Sequence, residues 1–333
     1  MFRRSFLVGA AVSFAIGSPF AHANQDLRVR IANSYGKGQP AGKALEHFAS
    51  RISELSNGKI KGAVYHNGSL YSEEKSLRAV QDGTLEVAFA SLSNWGPFTK
   101  SLRALEAPFL FDNREQFRRL MLIGSPTRER IAKELERDGF VPLMIFETGG
   151  FRILGTNRPV KVPKDLIGLK IRVPQSPVPV KFWNAAGASA TVVPWSEAYL
   201  ALGSKAVDGL DTSLATYPLV KLWEVTKFVN NIQYSSVASI TAVSGKWWAG
   251  LTPEQRTILL KAAKEAEEIS VKEEDQEERS LGALLKSHGI EIYQPTKEDL
   301  VHWHAVGTKL WDEIPDTPRS RIEELRAAAK AGG

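Results

Sequence analysis

The stretch FVPLMIFETGGFRILGTN, Phe140 to Asn157, holds two apolar, strand-like runs separated by Gly149-Gly150. Two adjacent glycines carry no Cβ and accept backbone angles closed to other residues, so they punctuate the chain. They read as a crossing between two lobes. Upstream, LRVRIAN, IKGAVYHN and LEVAFAS read as further strands. Between the first two, Ala41, Leu45, Phe48, Ile52 and Leu55 recur at helical spacing, and Gly58 stops the run. SEEKSLRAVQDG and the segment from Asn113 to Gly139 supply more helices. Downstream the alternation restarts with LKIRVP, SPVPVKFWNAAG, SATVV, WSEAYLALGSKA and VDGLDTS. The pattern predicts an α/β protein of two sandwich lobes, each built on a mostly parallel sheet with helices on both faces.

A long helical run follows, from Leu251 to about Ser287. Thr252, Pro253 and Gln255 form an N-cap, an N1 proline and a capping box. Glu268–Lys272 and Asp275–Arg279 are i,i+4 pairs in the favourable order. At 1.5 Å per residue the run is roughly 50 Å long, enough to lie across two lobes. The predicted division is 24–149 with 238–277 for the first lobe and 150–237 with 278–333 for the second.

The first 23 residues, MFRRSFLVGAAVSFAIGSPFAHA, combine a basic start, a short apolar run and a small-x-small ending. This is the pattern of a secretory leader cleaved after Ala23. The apolar run is shorter than the roughly 20 residues a membrane helix needs. RRSFL also carries a weaker twin-arginine signal. The mature chain is expected outside the cytoplasm, in the periplasm, with Asn24 at its start. Losing Arg3 and Arg4 with the leader lowers the formal charge of +6 by two. That mild excess suits small anions. There is no long Lys/Arg run to suggest nucleic acid. The chain has no cysteine, which excludes thiol nucleophiles and thiolate metal sites.

Several motifs resolve into ordinary structure. YGKGQPA (Tyr35 to Ala41) fits a dinucleotide turn, but the next strand ends in YHNG without the acid that would hold a ribose. It reads as a glycine-rich strand-to-helix turn. SEEK, starting at Ser72, lacks the companion elements of the penicillin-interacting enzymes, so Ser72 reads as a helix cap. His302 and His304 stand two apart, on different faces of a helix, and make a poor metal pair. No nucleophile, base and orienting group occur together, and no cofactor or metal is expected.

Within LKIRVP, Leu169, Ile171 and Val173 share one strand face, and Lys170 and Arg172 the other. Pro174 then ends the ladder. Taken alone, Arg172 is either a solvated charge or a guanidinium held for an anion. Trp195 and Trp95 stand at strand-to-helix corners where open α/β folds bind ligands, though tryptophans at such places are also often core.

The ordered set EAPFLF, GFRILGTNRPVKVPKDLIGLKIRVPQSP, GASATVVPWSEAYLALGSKAVDGLDT and KLWEVTKFV resembles the solute-binding subunits of TRAP transporters, the tripartite ATP-independent periplasmic systems of DctP type. The similarity runs over nearly all of the mature chain. It implies a two-lobed periplasmic binding protein, not an enzyme, that closes on a small organic carboxylate and hands it to membrane permease subunits. It implies that Arg172 binds the carboxylate, that Arg152 assists, and that Trp195 is the corner aromatic. Some members hold the carboxylate with an asparagine after the VDG element; Thr212 stands there, with a shorter side chain and a single donor. Asp211, Gln175, Tyr217 and Tyr234 complete the second-lobe candidates. The first lobe is expected to contribute Asn33, Tyr35, Glu73, Ser91, Asn94 and Trp95 from its strand ends. The corner aromatics hint at a compact, partly apolar or aromatic acid rather than a sugar acid. The protein is expected to be monomeric. An exported enzyme acting on an acidic substrate and a sensor for a membrane kinase are the alternative readings.

Overall fold

The computed structural model of the protein describes residues 26–121 and 123–331. The leader and its cleavage site lie outside the described residues. Among the described residues there are ten strands: β1 (Leu27–Ala32), β2 (Ile60–Tyr65), β3 (Val87–Ser91), β4 (Phe140–Thr156), β5 (Lys170–Val173), β6 (Ser189–Val192), β7 (Gly209–Ser213), β8 (Phe228–Asn230), β9 (Ser236–Ser244) and β10 (Glu291–Tyr293). In the first lobe the order is β2-β1-β3-β9-β4, and in the second β4 continues beside β7, followed by β5 and β6. On its other side the second half of β4 pairs with β8, and β8 with β10.

The two runs flanking Gly149-Gly150 are one strand rather than two. β4 passes through both lobes, and its register against β9 shifts between Glu147 and Phe151 to absorb the glycines. Gly149 has φ +102, and a Cβ there would lie 2.5 Å from Ser213 Oγ, so this position requires glycine on two counts. The expectation of mostly parallel sheets holds at the flanks, β2-β1-β3 and β6-β5-β7. It fails at the centre, where β9 and β4 run antiparallel to each other and to β3 and β7 respectively. A chain that crosses between lobes and returns leaves two long, oppositely directed strands in the middle.

Strand alternation fills both faces of each sheet. Along β3, Val87 and Phe89 pack with Leu45, Phe48 and Ile52 of the helix Pro40–Leu55, whereas Ala88 and Ala90 join a second core with Trp95 and Phe117. In the second lobe Leu154 of β4 joins a core with Ile171, Phe182 and Trp183, and its neighbour Ile153 joins Leu210, Tyr217 and Val229 on the opposite face.

The long helix spans Pro253–Ser287 with the expected capping box at Thr252 and Gln255. Leu259, Ala262, Ala263 and Ala266 pack into the first lobe, and Leu281 and Leu285 into the second. Asp275 turns to Arg118 at 2.6 Å rather than to Arg279. The tail departs from the predicted division: Trp311, Ile314, Ile322, Leu325 and Ala329 return to the first-lobe core. The apolar spacing of the helix Arg319–Lys330 was equally compatible with either lobe. For the rest of the chain we keep the predicted boundaries as a proposal.

Candidate functional site

β5 ends at Val173, and Pro174, with no N–H to donate, stops the ladder. Arg172 lies one residue before that end and Asp211–Ser213 at the end of β7. Both strands run parallel, so their carboxyl ends face the same way. From the first lobe come Tyr35 after β1, Glu73 at the start of the helix Glu73–Gln81, Ser91 at the end of β3, and Asn94 on the short helix Leu92–Trp95. Ser72 caps the helix behind Glu73, accepting from Lys75 N, as its sequence context predicts. These groups close around a cavity whose water-accessible core is about 40 Å³, placed at the carboxyl ends of the parallel strands of both lobes.

Arg172 is 4% exposed, whereas its face-mate Lys170 is exposed. Its Nε donates to Val193 O at 2.8 Å and its Nη1 reaches Asp211 O at 3.4 Å. Its Cζ lies 5.7 Å from the centroid of the Trp195 ring. Among the described residues no carboxylate lies within ion-pair distance of it. Burial, reinforced by the charge of Arg152, pushes its pKa down to about 10. A guanidinium buried without a counter-ion is costly unless an anion arrives.

Arg152, also buried, is differently placed. Its Nη1 donates to Asp211 Oδ1 at 2.9 Å and its Nη2 to Ser93 Oγ at 2.7 Å. Burial works against its charge, but Asp211, with Tyr234 and Glu106 beyond, outweighs that and raises its pKa. Asp211 Oδ2 accepts from Trp183 Nε1 at 2.9 Å and Tyr234 OH at 2.5 Å. Ser93 Oγ donates to Glu106 Oε1 at 2.5 Å, and Ser176 Oγ donates to Glu106 Oε2 at 2.7 Å. Arg152 therefore anchors a buried network linking the lobes, and both of its terminal nitrogens are engaged.

The first-lobe wall is ordered by Glu73. Its Oε2 accepts from Ser91 N at 2.7 Å, Ser91 Oγ at 2.8 Å and Asn94 Nδ2 at 2.6 Å. Burial raises its pKa despite those donors.

Of the residues singled out in the sequence, Arg172, Arg152, Asp211, Thr212, Trp195, Tyr35, Glu73, Ser91 and Asn94 meet at this cavity. The others do not line it. Gln175 is exposed, one residue past the proline. Asn33 builds the turn into Tyr35, bonding its N–H and carbonyl. Trp95 is core, packed edge-on to Phe140 and bonded to Ala90 O. Tyr217 is fully buried beside Thr226, and Tyr234 stands behind Asp211. With Trp95 and Tyr217 in the core, Trp195 is the remaining corner aromatic at the cavity, and the hint of an apolar or aromatic ligand loses most of its support. Sequence reasoning missed Pro174, Ser213, Thr216 and Val237 on the lining, and Ser93, Glu106, Ser176 and Trp183 behind it. Ser213 and Thr216 sit beside Thr212 in sequence, which was the available signal.

A larger groove of about 600 Å³ lies on the hinge side, between Gly149-Gly150 and the long helix. Its half-buried arginine, Arg114, pairs with Glu147 and Glu278, so unlike Arg172 its charge is already compensated by carboxylates. Among the described residues, no cluster of His, Asp or Glu is arranged to hold a metal, and no helix is long and apolar enough to cross a membrane.

Residues 31–317 match the model of the bacterial extracellular solute-binding protein family 7, DctP. The chain is 29% identical to the C4-dicarboxylate-binding periplasmic protein DctP of Rhodobacter capsulatus, over 98% of this chain and 96% of the relative. A TRAP periplasmic solute-binding protein of Ochrobactrum anthropi, solved with its C-terminus in the ligand-binding pocket, superposes with TM-score 0.80 at 29% identity, covering 92% of this chain and 96% of the other. The sugar-acid-binding protein DctPAm of Advenella mimigardefordensis, solved with galactonate, gives 0.86 at 25% identity, covering 93% and 99%.

Proposed function

The chain belongs to the bacterial extracellular solute-binding protein family 7, and from that premise we propose that its inter-lobe cavity captures a small organic carboxylate through Arg172. It is the solute-binding subunit of a TRAP transporter, not an enzyme, and it works with membrane permease subunits. The Rhodobacter capsulatus relative is named as a periplasmic protein, which agrees with the leader pattern. Cleavage after Ala23 is our reading of that pattern and predicts Asn24 at the mature N-terminus. A monomer is likewise our reading.

One observation carries the assignment of the site. Arg172 is a buried guanidinium without a carboxylate partner among the described residues, and it borders a cavity closed by both lobes. Arginine's planar fork matches a carboxylate with two parallel N–H donors. Val193 and Asp211 hold the fork from the protein side. A charged hydrogen bond contributes about 1.5–3 kcal/mol, whereas micromolar affinity needs about 8 kcal/mol. The remainder comes from contacts made when the lobes close, with Trp195 over the guanidinium and the first-lobe wall opposite. Relatives named for C4-dicarboxylates and galactonate agree with a carboxylate as the recognised group.

The test is a thermal-shift screen of organic acids on the mature protein. A ligand at 100 times its Kd stabilises by about 2.7 kcal/mol. Stabilisation by carboxylates and not by their amides is expected. A profile indifferent to the carboxylate would overturn the reading.

A further inference from the structure

The cavity holds a second pattern besides its guanidinium. Thr216 Oγ1 donates to Ser213 O at 2.6 Å and lies 2.6 Å from Thr212 Oγ1. A hydroxyl has one proton. Thr216 has used its own on Ser213 O, so the short contact between the threonines is Thr212 donating to Thr216. What Thr212 turns toward the cavity is therefore lone pairs alone. It cannot donate to a carboxylate.

The opposite wall repeats the arrangement. Asn94 Nδ2 donates to Glu73 Oε2 at 2.6 Å and to Ser91 Oγ at 3.1 Å, so both its hydrogens are used. Among the described residues Asn94 Oδ1 is left buried with no partner, in a residue 4% exposed that lines the cavity. Turning the amide over would aim that oxygen at the Glu73 carboxyl, which favours the orientation described. Ser213 Oγ is a further buried atom on the lining without a partner, able to donate or accept. Buried acceptors are expensive to leave unpaired, and a ligand donor relieves that cost.

We propose that Thr212 and Asn94 are specificity residues that accept hydrogen bonds from a hydroxyl of the ligand, so that the cavity selects a short hydroxy acid over the corresponding deoxy or oxo acid. The proposal rests on the carboxylate reading above and sharpens it. The space argues for a small ligand, because the water-accessible core of the cavity is only about 40 Å³. An ammonium would also satisfy acceptors, but Asn94 and Thr212 offer it only neutral oxygens.

The experiment titrates lactate, pyruvate, propionate and alanine into the mature protein and into two variants, Thr212→Val and Thr216→Val. For the wild type, lactate should bind at least ~10-fold more tightly than pyruvate or propionate. Thr212→Val keeps the shape and removes the acceptor, so lactate should lose that advantage while propionate is little changed. Thr216→Val removes the acceptor that holds the Thr212 proton. The hydroxyl is then free to donate into the cavity, so pyruvate should gain on lactate. That reversal keeps the test open if Thr212→Val fails to fold, and apo melting reports folding in each case. Pyruvate or propionate binding as tightly as lactate in the wild type would overturn this proposal and leave the carboxylate reading standing. Tighter binding of alanine would overturn it in favour of an amino group. Binding of none of the four acids would overturn this proposal, and the carboxylate reading would then stand or fall on the wider screen of organic acids.

Discussion

Asp211 gives Arg172 its backbone carbonyl, 3.4 Å from Nη1, while its carboxylate is shared among Arg152, Trp183 and Tyr234. One residue thus orients two arginines and neutralises one of them. The division of labour follows from the strand: the carbonyl lies along β7, and the side chain points into the buried network behind it. An anion entering the cavity meets a guanidinium that has been oriented but not paired.

Asp211→Asn should expose this division. The variant leaves Arg152 buried beside a neutral amide, and breaking a buried pair from one side costs about 3–5 kcal/mol. Chemical denaturation of the ligand-free protein should show a loss of that order. A loss below about 1 kcal/mol would mean that the pair is not holding the lobes' network together.

The two hinge glycines should differ in their tolerance of alanine. A Cβ on Gly149 would lie 2.5 Å from Ser213 Oγ and 3.0 Å from Ala215 Cβ, whereas on Gly150 the nearest atom, Arg114 Cδ, would be 3.8 Å away. Both residues have positive φ, so each alanine carries a backbone penalty of about 1–2 kcal/mol. Gly149→Ala adds a clash and should be the more destabilising of the two in the same denaturation experiment. Equal losses would contradict the packing described at Ser213.

Glu274 gives the hinge a pH dependence. It lies on the long helix beside the hinge, and burial, with Glu277 and Glu147 adding repulsion, raises its pKa to about 8. Arg114 and the Gly149 N–H act in the other direction. In the unfolded chain it titrates as an ordinary glutamate near pH 4.3. The folded protein therefore holds a proton that the unfolded chain has lost, and stability falls as pH rises from about 4.3 to about 8. Glu274→Gln should melt like the wild type near pH 4 and higher than it at pH 8.5. A difference that does not change with pH would contradict this.

Much of this organisation is legible in the sequence for physical reasons. Period-two apolar runs marked β1, β3 and β5, a capping box marked the start of the long helix, and the run was long enough to require two lobes. Arg172 was singled out because a guanidinium before Val-Pro is unusual at a strand end, although its burial could not be read from alternation: Lys170 shares its face and is exposed. β9 was missed because all of its residues are buried, so it shows no alternation. Trp95 and Tyr217 were misplaced because an aromatic at a strand-to-helix corner has the same spacing whether it faces the cavity or the core. The direction of the Thr212 proton depends on Thr216 and the Ser213 carbonyl, and only folded coordinates bring those three together.

Arg172→Lys tests the central claim most directly, by titration calorimetry with a carboxylate found in the screen and by melting of the ligand-free protein. Lysine keeps the charge and loses the fork, so binding should weaken by roughly 2–4 kcal/mol, about 30- to 1000-fold in Kd. Melting without ligand should barely change, because among the described residues Arg172 has no carboxylate partner. Lysine binding the acid as tightly as arginine would remove Arg172 from the site and contradict the account.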